Sequence, residues 1–183
     1  MSDLESALLD VAKIFENARV RYMLIGGMAN AIWGQPRATV DVDLTVGVGV
    51  DQANTLLSLL GSSVQSAPPD PEEFAGDTGV LPFVHVTGIR VDLIFGTNAY
   101  ASQALLRATA IELAGTAVKV CTAEDLIVHK LMAGREKDRL DVEAIMRIRR
   151  HSLDRAYLDP LIRELALMLE KPEIESRYLS LMS

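Results

Sequence analysis

The chain has 183 residues, 49% of them hydrophobic and 23% charged, enough for one domain with a proper core, or one domain with a helical appendage. Its 18 basic and 25 acidic residues give a net charge of −7, which excludes nucleic-acid binding through bulk charge and leaves RNA only a local basic patch to meet. Aromatics at 5% argue against a base-stacking surface, and the single cysteine, Cys121, excludes an intrachain disulfide and a cysteine zinc site.

No apolar run is long enough to span a membrane. The start MSDLESALLD lacks the regions of a secretory leader, so the cytoplasm is the expected compartment. Residues 3–17 read as an amphipathic helix: Leu4, Leu8, Val11 and Phe15 recur at three- and four-residue spacing, with Ser2 or Asp3 able to cap. A short strand follows at 21–25, then a helix at 27–33 ended by Gly34 with Pro36 beyond it. The second strand, 39–46, stops at Gly47 and Gly49, and Asp51 caps a helix to about residue 60. The Pro-, Ser- and Asp-rich stretch 61–79 reads as one long loop. Strands at 80–86 and 89–95 make a hairpin around Thr87-Gly88. A helix capped by Asn98 runs to about residue 107, and 111–113 with 117–120 make a second hairpin. Helices are expected at 123–133, 136–150 and 153–170, the last broken or restarted at Pro160. The predicted class is α+β: a mixed sheet with flanking helices over 1–121 and a helical bundle over 122–183, packed together or forming a single domain.

The chemistry gathers in YMLIGGMANAIWGQPRATVDVDLTV, residues 22–46. Gly26 and Gly27 end an apolar strand and open a helix, so bare backbone N–H groups are offered to a phosphate. Asp41 and Asp43, two apart in a strand, point to one face, and two carboxylates that close suggest a divalent cation between them. Asp92 is the one acid inside the apolar strand GIRVDLIFG, where an unpaired carboxylate is costly unless it pairs or binds metal. Three carboxylates from two strands suit a two-metal phosphoryl-transfer site fed by an NTP. Otherwise Asp41 is a turn residue and Asp92 pairs with Arg90 or Arg37.

GG-MANAIWGQPRAT-VDVDL followed by VDLIFG resembles the nucleotidyltransferase superfamily that shares the core of DNA polymerase beta, and within it the small prokaryotic AbiEii-like toxins. The resemblance covers about residues 23–150. It implies that Gly26 and Gly27 hold the triphosphate and that Asp41, Asp43 and Asp92 hold Mg²⁺, with Asp92 also serving as base or positioning the acceptor hydroxyl. Many such proteins have Ser where this chain has Gly27; the backbone donors remain. Arg37 and Thr39 match an R-x-T-x-D spacing, which places them at phosphate or acceptor. Without the resemblance, Arg37 is a surface arginine or one that neutralises the carboxylates.

In AEDLIVHKLMAGREKDRLDVEAIMR, Thr122 caps a helix and Lys130 shares an apolar stripe with Leu126 and Ala133, so its ammonium needs an anion. By spacing, Lys137, Asp138 and Asp141 share one helical face. The resemblance implies that Lys130 meets nucleotide phosphates and that Arg135, Lys137 and Asp138 lie near acceptor or base. An exposed, salt-bridged face is the other reading. His85, His129 and His151 have no metal-ligand spacing, and Cys121 reads as a small buried hydrophobe. Trp33 reads as core. Arg147, Arg149, Arg150 and His151 close a helix, where cations complement its C-terminus, and are the patch best suited to an RNA backbone.

The expected function is Mg²⁺-dependent transfer of an NMP from an NTP to an acceptor hydroxyl on tRNA, protein or a small molecule, with pyrophosphate released. By resemblance the setting is a toxin whose partner is an antitoxin protein. The alternative is a module of the same fold that binds nucleotide or a partner without turnover.

Overall fold

The computed structural model describes residues 1–182, which divide into two compact units: residues 1–28 with 38–121, and residues 29–37 with 122–182.

The first unit opens on α1 (Asp3–Ala18), capped as the sequence predicts. Ser2 Oγ accepts from the Glu5 amide at 3.2 Å while Glu5 accepts from the Ser2 amide at 2.8 Å, so two orphan donors of the first turn are satisfied together. Leu8, Val11 and Phe15 of the α1 stripe are buried and Leu4 is half-buried, and the Phe15 ring lies 5.8 Å from that of Tyr22. Strands β1 (Tyr22–Leu24), β2 (Asp41–Val46), β3 (Val64–Ser66), β4 (Val80–His85), β5 (Arg90–Phe95), β6 (Thr109–Leu113) and β7 (Thr116–Val120) form one sheet in the order β3-β4-β5-β2-β1-β7-β6. Pairs β2–β5 and β1–β7 are parallel and the rest antiparallel, so the sheet is mixed, and both expected hairpins form. Alternation sets its faces: Val42, Leu44, Val91 and Leu93 are buried on one side, while Asp41, Asp43 and Asp92 are half-buried on the other.

Two expectations in this unit are corrected. Asp51 does not cap a helix; it lies in a single 3₁₀ turn (Val50–Gln52), and α3 (Ala53–Leu60) follows with no side-chain cap. The stretch 61–79 is not one loop, since it carries β3 and α4 (Pro71–Thr78). Asp70 caps α4 through the Glu73 amide, Pro71 opens it and Gly79 closes it at φ 72. His85 is the last residue of β4 and is buried. Its Nδ1 accepts from the Thr87 amide, which makes Nε2 the donor to Asp10 at 3.1 Å. Partial burial pushes the Asp10 carboxyl up, but hydrogen bonds from Ser63 and His85 hold it below the usual range. Asn98 caps α5 (Ala99–Arg107) as expected.

In the second unit α6 (Ala123–Ala133), α7 (Glu136–Arg149), α8 (Arg155–Met168) and α9 (Pro172–Met182) pack with residues 29–33 of α2 (Gly26–Trp33). Thr122 caps α6, and its hydroxyl also donates to Asp125 at 2.8 Å. Asp125 accepts from the Tyr157 hydroxyl and Glu124 from the Asp154 amide, so two buried acids of α6 fix the start of α8. Pro160 neither breaks nor restarts a helix; α8 runs through it, and the chain breaks instead before α9. Arg149 donates to the Ile32 and Trp33 carbonyls and lies over the Trp33 ring at 5.2 Å, closing α2 rather than standing free for RNA.

Candidate active site

In the sheet unit the chain leaves β1, turns at Gly26 and enters α2. The Ile25 amide bonds the Asp43 carbonyl at 2.9 Å, which draws that turn against β2. Gly26 holds φ +66, and a Cβ there would lie 1.8 Å from Asp43 Oδ2. A Cβ on Gly27 would lie 2.4 Å from Thr39 Oγ1. Both glycines are therefore required by the approach of backbone to the carboxylate strand, one of them also by its left-handed conformation. Thr39 donates to Asp41 Oδ1 at 2.9 Å, which orients that carboxylate.

Asp43 and Asp92 are direct partners in the parallel register of β2 and β5. One oxygen each from Asp41, Asp43 and Asp92 lies within 4.8 Å of the others. Arg90, mostly exposed, donates Nε–H to Asp92 Oδ1 at 2.8 Å. That bond, followed by the charges of Asp92, Asp41 and Asp43, raises the arginine's pKa. The pairing of Asp92 with Arg90 and its place in the cluster thus coexist. The donor set consists of carboxylate oxygens on rigid strands, and it fits a small, hard divalent cation such as Mg²⁺.

The other expected residues meet in the helical unit, around Asp141. Lys130, nearly fully buried, donates to Asp141 Oδ2 at 2.6 Å and lies 3.7 Å from Asp138. Arg37 grips both Asp141 oxygens through Nε at 3.1 Å and a terminal nitrogen at 3.0 Å. Asn30 donates to Asp141 Oδ1 at 3.2 Å and to the Gln35 carbonyl at 2.8 Å. Arg135 clasps Asp138 at 2.6 and 3.2 Å. Burial pushes the Asp141 carboxyl up, but the hydrogen bonds and charges of Arg37 and Lys130 outweigh it and hold the pKa below the usual range. Lys137 is exposed and does not share the buried face of Asp138 and Asp141, contrary to the spacing argument.

Sequence reasoning missed Asp141 as the centre and Asn30 as its partner. Lys130 and Asp141 sit on two helices separated by Gly134, so no i,i+4 rule links them. The signal for Asn30 was a single polar side chain in the apolar run MANAIW.

No family model and no curated protein sequence matches this chain. Solved structures do. A nucleotidyltransferase-like antigenic protein from Paracoccidioides brasiliensis aligns over 96% of this chain and 91% of its own at 17% identity and a TM-score of 0.58. The lincosamide antibiotic adenylyltransferase LnuA, bound to lincomycin, aligns over 79% of this chain and 97% of its own at 13% identity and a TM-score of 0.56. ANT(2'')-Ia in complex with adenylyl-2''-tobramycin aligns over 97% and 99% at 15% identity and a TM-score of 0.56. At these identities the likeness is one of fold.

Proposed function

We propose that this chain, built on the nucleotidyltransferase fold, is an Mg²⁺-dependent nucleotidyltransferase that moves an NMP from an NTP to an acceptor hydroxyl. The observation that carries the reading is the convergence of Asp41, Asp43 and Asp92 beside a glycine turn that admits no side chain. In this reading the first amides of α2, at Gly26 and Gly27, bind the triphosphate, because they are unsatisfied within the helix and lie at its positive end. Asp41, Asp43 and Asp92 hold Mg²⁺. The bound ion supplies charge neutralisation at the phosphates and a more acidic acceptor hydroxyl. Thr39 keeps Asp41 oriented, and Arg90 keeps Asp92 oriented. The Asp92 oxygen not bonded to Arg90 takes the acceptor's proton. The acceptor oxygen bonds to the α-phosphorus, the α–β bridge breaks, and pyrophosphate leaves.

Arg135 and Lys137, both exposed, are offered to nucleotide or acceptor anions. Lys130, Arg37 and Asp138 support that role from within the buried network around Asp141. A small hydroxyl compound is the favoured acceptor. The net charge and the scarcity of aromatics weigh against long RNA, and of two solved proteins of this fold one is a lincosamide antibiotic adenylyltransferase and the other holds adenylyl-2''-tobramycin. A tRNA or protein acceptor, and a toxin partnered by an antitoxin, rest on the sequence resemblance.

The test is incubation with each α-labelled NTP and Mg²⁺, separately with an antibiotic panel, total tRNA and cell lysate, followed by mass spectrometry of labelled products. Label moves in one arm, and Asp43→Asn abolishes it. Saturable Mg²⁺–NTP binding with no transfer in any arm overturns the reading in favour of a binding module.

A further inference from the structure

The helical unit contains a small cationic pocket that adjoins the network around Asp141 at Lys130. Its volume is about 90 Å³, room for several waters or one phosphate group. Arg139 of α7, Arg177 of α9 and Lys171 at the start of α9 line it over a floor that includes Ile174 and Lys130, and Glu173 is the single acid in the lining. Ile174 is buried, while Arg139, Lys171 and Arg177 reach solvent.

Several other acids of the unit are paired elsewhere. Asp138 is held by Arg135, Asp141 by Arg37 and Lys130, Glu175 by Arg163, and Asp159 by Arg155 and Tyr178. Among the described residues, no ion pair is formed by Arg139, Lys171 or Arg177. Of the four cations in the lining, Lys130 is paired with Asp141, and the other three share the pocket with one carboxylate. Like charges brought together this way repel unless an anion joins them. The setting is unusual for this chain. The sheet unit has six basic against thirteen acidic residues, whereas the helical unit has twelve of each.

We propose that this pocket binds a phosphate group, as free phosphate or as the phosphate of a small nucleotide. Arginines from two helices can present paired N–H donors to tetrahedral oxygens, and Lys171 adds a point charge. The inference is independent of catalysis and stands whether or not the chain transfers nucleotides.

The test is calorimetric titration of the full chain with inorganic phosphate, pyrophosphate and AMP, in EDTA at one fixed low ionic strength. Phosphate binds saturably, and the Arg139→Gln, Arg177→Gln double variant weakens it by about tenfold or more. Arg155→Gln, outside the pocket, leaves it unchanged. AMP binding tighter than phosphate, and lost in the same double variant, assigns the phosphate to a nucleotide; equal binding assigns it to the free ion. The variants' fold is checked by melting and by Trp33 emission. If the glutamine pair unfolds, Arg139→Lys with Arg177→Lys keeps the charge and retains weaker binding. No saturation below about 10 mM, or binding that survives the glutamine pair in folded protein, overturns the proposal.

Discussion

Gly26 governs the carboxylate site through what it lacks. Its φ of +66 already disfavours an L side chain, and any Cβ would displace Asp43. Gly26→Ala therefore lowers stability by about 1–3 kcal/mol and disrupts divalent-ion binding, as urea midpoints and metal titration will register. Unchanged metal affinity would show that Asp43 can move aside freely.

Asp141 makes the opposite case, a carboxylate surrounded by donors. Removing its charge leaves Lys130 buried beside fewer anions. Asp141→Asn thus costs about 3–5 kcal/mol at pH 7 by urea denaturation, and adding Lys130→Met recovers much of it. The pH dependence follows from its lowered pKa. The stabilisation is fully present above the unfolded carboxylate value, about 3.9, and is lost as pH falls through the folded value. The gap between wild type and Asp141→Asn therefore narrows below about pH 4.

Among the elements, α8 carries a proline at its sixth residue without breaking. The missing amide and the clash with the preceding turn remain unfavourable, and buried Leu158, Ile162 and Leu165 hold the helix together across them. Pro160→Ala raises the melting temperature, by an increment equivalent to roughly 1–3 kcal/mol; no rise would mean that the helix start had already adapted. Packing here overrides a local rule, so the sequence alone pointed to a break. The error at 61–79 has a different origin. Asp70-Pro71 and Gly79 are helix punctuation, but α4 buries only Ala75, so no apolar period stood behind them. Where a buried face was strong, as in α1 and β5, the sequence announced the element plainly. The carboxylate cluster was legible in part: strand alternation is local and puts Asp41 and Asp43 on one face, whereas the parallel pairing of β2 with β5 that sets Asp92 beside Asp43 is tertiary. The Asp141 network was not, because it joins residues 30, 37, 130 and 141 through tertiary packing that no spacing encodes.

At the scale of the molecule, the entire net charge of −7 resides in the sheet unit, which also gathers three carboxylates on one face. Under the proposed function Mg²⁺ held by that cluster stabilises the protein by mass action, approaching about 2.7 kcal/mol when its concentration is a hundred times the dissociation constant. Thermal melts against Mg²⁺ concentration show this rise in wild type and none in Asp43→Asn. Equal rises in both would place the ion elsewhere.

The helical unit is not continuous in sequence: residues 29–37 belong to it, yet they precede nearly all of the sheet. During vectorial synthesis this early segment emerges first and waits for α6 and α7 before Asn30 and Arg37 find Asp141. No single cut can liberate either unit intact. A fragment ending at residue 121 strands two polar side chains whose counterpart has yet to be translated, and one starting at 122 inherits Asp141 without two of its three partners. Separate expression of the pieces calls for a circular permutation or a graft, never a truncation.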